Sequence, residues 1–259
     1  MNATTFVDHR DAMYTEHLNP QGHAQRKFSY FGKNTPHAWG PEAFMVDYGP
    51  DRTGIAHFHS VDQFQVFFGA PGARYQRHPI PTVELHYSDA FVTYGPFSAA
   101  GERFRFFTLR PCQGQYKGTM PAERHLLEYQ GRRGINVGLE PQLSINPAPG
   151  EVIVDEVIER HGDGLAATLI AAGPDSDVQL GSTEATSGRY LVVLTGGLAG
   201  HGDSARFALG WTRPNEGASV VHTAASGVTR LLSMTFPYPP TPAARAAEDS
   251  SAASGSRIS

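Results

Sequence analysis

The segment Gly54–Gly69, GIAHFHSVDQFQVFFG, gathers the residue types with the most chemistry to offer. Side chains alternate along a strand, so His57 and His59 share a face, as do Gln63 and Gln65 if no bulge intervenes. Phe58, Phe64, Val66 and Phe68 then point the other way. Two imidazoles one strand repeat apart can converge on one ion, and neutral ring nitrogens suit Fe, Zn, Ni and Cu. A third ligand has to come from another strand. The stretch Pro81–Ala90, PTVELHYSDA, offers His86 on the same face as Glu84 and Ser88, and His78, just before Pro79, is an alternative.

The elements that must hold these residues are short. Runs rich in β-branched and aromatic residues lie between dense turn signals: Phe64 to Phe68, Val83 to Tyr87, Phe104 to Leu109, Val152 to Val157, Tyr190 to Thr195 and Leu231 to Phe236. Such spacing indicates an all-β sandwich or barrel. Helix signals are few: Pro121 to Gln130, with Gly131 as its stop, and a weaker candidate at Asp8 to Leu18. The two halves also repeat. VFFG at Val66–Gly69 is followed by AAGERFRFFTLRP at Ala99–Pro111, and VLTGG at Val193–Gly197 by ASGVTRLLSMTFP at Ala225–Pro237. In each closing segment ten positions separate the glycine from the proline, which favours two copies of one β module. The expected organisation is an N-terminal arm over 1–25, a first barrel over 26–115, a connector with a short helix over 116–149, a second barrel over 150–238 and a disordered tail over 239–259.

His57-x-His59-x3-Gln63-x5-Gly69 resembles the first motif of the cupin superfamily, an HxH followed by a glutamate and then a glycine. Pro81-x-Val83-x2-His86-x3-Ala90 resembles the second, with Val83 and Ala90 where that motif has glycine and asparagine. The resemblance implies two jelly-roll β-barrels and, in the first, one divalent metal held by His57, His59 and His86. Iron is the expected metal, with Mn, Ni or Zn as alternatives. Gln63 takes the position of the carboxylate ligand, as a weak fourth ligand or as a hydrogen-bond partner of bound water or substrate. Counting back from Gly196 by the same offsets lands on Glu184, Thr186 and Tyr190, and the offset for His86 lands on Arg213. With no imidazole at any of them, the second barrel reads as structural or as part of a dimer interface, and His201 and His222 as surface residues.

Other candidates surround this set. Tyr94 shares strand parity with His86 and could supply a phenolic proton. Arg103 and Arg105 on the strand after Gly101 are candidates to hold a substrate carboxylate, with Gln65 beside them, while Arg74 and Arg77 read as solvated. The aromatic stretch from Phe28 to Gly49 reads as a cover for a barrel mouth or a segment swapped onto a partner, with pocket lining as the alternative. A net charge of -4 and a pI near 6.3 leave no basic field for nucleic acid or an anionic membrane. One cysteine, Cys112, excludes an internal disulfide and any cysteine zinc site. No run approaches 18 apolar residues, and no GK[ST] phosphate loop, GxSxG elbow or HExxH is present. The expectation is a cytoplasmic cupin, as a monomer or homodimer, acting on a small molecule. A mononuclear Fe(II) dioxygenase comes first, then a non-oxidative isomerase, cyclase or lyase, then a non-catalytic small-molecule-binding cupin.

Overall fold

The computed structural model describes residues 4–18, 22, 24–32, 40–114, 117–127, 133–201 and 205–238. The chain divides into two compact units, one over Thr15–Gly138 and one over Met1–Tyr14 with Leu139–Pro239. They are called the first and second barrel below.

In the first barrel a seven-stranded antiparallel sheet runs in the order Gly134–Gly138, Val83–Ser88, Gln63–Phe68, Phe104–Arg110, Glu42–Tyr48, Ala24–Phe31, Met13–Leu18. A four-stranded sheet (Thr53–Gly54, Phe97–Ser98, Arg74–Tyr75, His78–Pro79) and the pair His57–His59 with Lys117–Thr119 complete it. The core between them is aromatic, with Tyr48, Phe67, Tyr75, Tyr94, Phe97, Phe104 and Phe106 in one cluster. Gly118 sits opposite Phe58, and a Cβ there would meet the Phe58 ring at 2.1 Å. Only glycine lets that ring lie on the neighbouring backbone, which draws the HxH strand against Lys117–Thr119.

The second barrel repeats the plan: Thr4–Val7, Leu209–Thr212, Arg189–Thr195, Thr229–Thr235, Ala166–Ala172 and Val152–Ile158 form its main sheet, and Asp177–Leu180 pairs with Ser219–His222. The cluster inside it that corresponds to the aromatic one is aliphatic, from Ile170, Val178, Leu180, Leu191, Val193 and Leu231, while Tyr190, Trp211 and Phe236 pack together as a separate buried group. The repeat seen in the sequence is therefore a repeat of strand pairings.

Three local expectations fail. The stretch after Pro121 makes only the 3₁₀ turn Arg124–Leu126, because the Glu123 carboxylate accepts from both Thr119 N and Thr119 Oγ1 at 2.6 Å and folds the segment back on the preceding strand. Gln130 and Gly131 lie outside the described residues, as does 239–259. Asp8 to Leu18 is a 3₁₀ turn, His9–Asp11, and then a strand, since MYTEHL alternates in exposure as an outer strand does. Among the described residues of the expected N-terminal arm, Thr4–Val7 pairs with Leu209–Thr212 and Met13–Leu18 extends the first sheet. Among the described residues the one α-helix is Glu140–Leu143, and no helix is long and apolar enough to cross a membrane. Within the expected connector, Gly134–Gly138 is a strand of the first barrel.

Candidate active site in the first barrel

His57, His59 and His86 come together around one residue, Tyr94. Its ring centroid lies 4.4 Å from that of His57, 6.0 Å from His59 and 5.6 Å from His86. Tyr94 reaches this position through an isolated bridge to His57, not along an unbroken strand from His86, which ends at Ser88. The bridge is closed by His57 N–H to the Tyr94 carbonyl and Tyr94 N–H to the His57 carbonyl, each at 3.0 Å.

The hydrogen bonds fix the tautomers. His57 Nδ1 is 2.7 Å from the Ile55 carbonyl, which can only accept, so Nδ1 carries the proton and Nε2 a lone pair. The Tyr94 hydroxyl then donates to Nε2 at 2.8 Å. Burial, with the positive charges of Lys117 and Arg110, lowers the His57 pKa to about 4, so the ring rests neutral. Burial raises that of Tyr94, so the phenol keeps its proton. His86 is buried, and its Nδ1 donates to Asn136 Oδ1 at 2.9 Å and toward the Ile135 carbonyl. Its pKa falls to about 4 by burial, and its Nε2 lone pair has no partner.

The three histidines of the expected metal set share this site, and two of the expected ligand atoms are engaged within the protein. The His57 lone pair is engaged by Tyr94, and Gln63 Oε1 accepts from Arg110 Nε and Nη2 at 3.3 Å, which leaves His86 Nε2 as an unpartnered donor atom. No group of three His, Cys, Asp or Glu side chains able to hold an ion occurs among the described residues. Gln63 is thus an acceptor for an arginine. His78 lies 3.3 Å from both Glu84 oxygens, with its side chain half exposed.

A cavity of about 270 Å³ opens beside the His57–Tyr94 pair. Gln65, Thr108, Arg110, Lys27 and Lys117 supply its polar lining, and Phe44, Tyr48, Phe97 and Phe106 its walls. Gln65 is buried and its Oε1 has no partner. Arg103 and Arg105 stay outside: their Nε atoms donate to Asp47 Oδ1 and Oδ2 at 2.9 and 3.0 Å. The reason is parity. Phe106, Thr108 and Arg110 share the cavity face of their strand, and residues 103 and 105 share the other. Arg110, missed in the sequence, was marked by this alternation. Glu42 holds it at 2.6 Å. Asn136, Lys27 and Lys117 come from segments without a motif. Cys112 is buried, takes part in no disulfide and packs with Val61. Arg74 donates to the Arg77 carbonyl at the surface, His222 is exposed beside Asp177, and His201 contacts Asp8.

In the second barrel, strand pairing corrects the count made from the glycines. Arg189 pairs with Thr235 as Gln63 stands opposite Arg110, so Gln63 corresponds to Arg189 and not to Tyr190. A bulge between Val193 and Thr195 inserts one residue before Gly196 and shifts every position upstream by one. His86 corresponds to Gly210.

No family model and no curated protein matches the sequence. Solved structures do match in fold. A protein of Nostoc punctiforme, provisionally assigned as a dioxygenase, superposes with a TM-score of 0.60 at 11% identity, covering 92% of this chain and 85% of its own. A variant of Bacillus subtilis oxalate decarboxylase gives 0.55 at 10%, covering 91% and 78%. A pirin of Escherichia coli in complex with nickel(II) gives 0.53 at 11%, covering 90% and 99%. With these neighbours and its two sets of antiparallel sheets, this chain has the two-barrel cupin fold.

Proposed function

We propose that the first barrel is a non-oxidative enzyme acting on a small anionic substrate, with His57 and Tyr94 as its proton-transfer pair. The observation that carries this reading is the 2.8 Å bond from the Tyr94 hydroxyl to the His57 Nε2 lone pair at the wall of a cavity lined by Lys27, Arg110 and Lys117. Arg110 is neutralised by Glu42, so the two lysines leave an excess of positive charge for an anion to meet.

A bound anion has a second effect. The cations that hold His57 low are offset by it, so imidazole basicity rises when substrate is present. A substrate C–H or O–H proton can then pass to the Tyr94 oxygen as the phenolic proton passes to His57 Nε2, the Ile55 carbonyl steadying the imidazolium through Nδ1. Reversal returns a proton to a different atom, which is isomerisation, or to a departing group, which is elimination. Gln65 and Thr108 orient the substrate.

Proton NMR in deuterium oxide with EDTA present, run over a panel of small keto, hydroxy and unsaturated carboxylates, tests this. The expected result is enzyme-dependent deuterium entry into one or more C–H bonds, lost in Tyr94→Phe and His57→Gln. Binding without exchange in any of them favours a non-catalytic cupin. Turnover that appears only with added Fe(II), Mn(II) or Ni(II) favours the metal-dependent reading, dioxygenase included, for which the unpartnered His86 Nε2 is the supporting observation.

A further inference from the structure

The second barrel has its own cavity, about 250 Å³, on the same side of the same strands. Arg189 lines it, 5% exposed. Its Nη2 donates to the Gly181 and Ser182 carbonyls at 2.7 and 3.2 Å, while Nε and Nη1 are buried without an acceptor. Among the described residues no carboxylate pairs with it, and the charge that acts on it is another cation, Arg160 at the cavity lining. Burial and Arg160 together lower its pKa to about 10. A buried guanidinium without a counter-charge is costly, and proteins keep one where an anion completes it.

The comparison with the first barrel says what is missing. There the guanidinium of Arg110 is satisfied by Gln63 on the neighbouring strand and by Glu42 opposite it on the other side. In the second barrel the arginine has moved to the Gln63 position, Thr235 stands for Arg110, and the residue opposite Thr235 in place of Glu42 is Ala166. Ala166 itself lines the cavity, so the space the carboxylate would use is open.

We infer that the second barrel binds a small organic carboxylate, whose carboxylate group supplies to Arg189 the negative charge that Glu42 supplies to Arg110. Thr168, Ser233 and Thr235 give hydroxyls around the guanidinium, and Val154, Ile170 and Leu180 give apolar wall for a short carbon skeleton. Arg160 at the exposed rim suits a second carboxylate or draws the anion in. Bare phosphate or sulfate would leave the apolar wall unused. The site is separate from the proton-transfer pair of the first barrel and stands whether or not that pair is catalytic.

The test is calorimetric titration of the full chain with sodium acetate, malonate, succinate and phosphate at ionic strength held constant with chloride. A saturable site for acetate, malonate or succinate that disappears in Arg189→Gln is expected, with phosphate at least tenfold weaker at that site. Ala166→Glu restores the internal carboxylate: it should weaken carboxylate binding tenfold or more while raising the melting temperature of the anion-free protein. Arg189→Gln should abolish that site, Arg160→Ala should weaken it severalfold, and Arg74→Ala at the surface of the first barrel should leave it unchanged. No saturable carboxylate binding, phosphate bound as well as the carboxylates, or an Ala166→Glu protein that binds like the wild type would each overturn the inference.

Discussion

In the first barrel the Glu42–Tyr48 strand brings two carboxylates to arginines, Glu42 to Arg110 and Asp47 to Arg103 and Arg105. In the second the equivalent strand, Ala166–Ala172, has Ala166 opposite Thr235 and Ala171 opposite Arg230. Arg230 is left to the Ile145 carbonyl and Asn146 Oδ1, and Arg189 to two carbonyls. His86, braced by Asn136, becomes Gly210, where a Cβ would meet the Phe6 ring at 2.7 Å. The pairing of strands is kept while the polar interior is exchanged. A jelly roll is held by its ladders and its apolar contacts, so the few inward polar positions are free to differ as long as each buried group has a partner or gains one from a ligand.

The cores differ as much as the chambers, and this gives the largest test. Phe67 and Val193 occupy equivalent positions, both fully buried. Phe67 touches Tyr75, Phe97, Phe104, Phe106 and His86. Phe67→Ala should cost about 3–5 kcal/mol and Val193→Ala about half as much, because cavity size sets the penalty. Guanidinium titration followed by Trp211 fluorescence in a Trp39→Phe background for the second barrel, and by proton NMR of the ring-shifted resonances of the aromatic cluster for the first, would read each. If Phe67→Ala cost no more than Val193→Ala, the aromatic cluster would not be what holds the first barrel.

A second contrast is in pH. His57 and His86 lie in the first barrel with folded pKa values near 4, against about 6.5 unfolded, so the unfolded chain takes up protons first. Their contribution is complete above pH 6.5 and is lost as pH falls through 4. The loss is of the order of 3 kcal/mol for His86, at ~1.4 kcal/mol per pKa unit, and less for His57 beside the cavity. The second barrel has no counterpart, since Gly210 replaces His86. Melting curves from pH 7 to 4 should show the first transition falling well ahead of the second, and His86→Gln should flatten that fall. Parallel decline of both transitions would show that buried histidines do not govern the difference.

How much of this could be read in advance followed from how local each signal was. HxH, the alternating strands and the glycine-to-proline repeat are local patterns, and they lead to the fold and to the three histidines around Tyr94. What failed depended on distant partners. Gln63 reads as a ligand position until Arg110, far along the chain, takes its oxygen. Strand parity with His86 points to Tyr94, but the strand ends at Ser88 and Tyr94 meets His57 because a loop bridges back. Residue counting across the repeat slipped by one because a bulge leaves no mark in composition. The second barrel looked inert because histidines were sought there, whereas its conspicuous group is an arginine without a carboxylate.

The smallest effect expected concerns the outward arginines, and it sharpens the distinction between them and Arg110. Asp47 is almost wholly buried, and each of its oxygens accepts from a different arginine, both partly exposed. Arg103→Ala or Arg105→Ala should therefore cost only about 1 kcal/mol, as one partner remains and solvent reaches the other oxygen. The double variant should cost more than the sum of the two, because it leaves a buried carboxylate with no cation, and a thermodynamic cycle measures the excess. None of the three should change ligand binding or proton exchange in the first-barrel cavity, which these side chains do not line. Additive losses would mean that Asp47 is satisfied by other groups. A loss of cavity binding with stability intact would instead return Arg103 and Arg105 to the substrate-binding role that their position on the strand argues against.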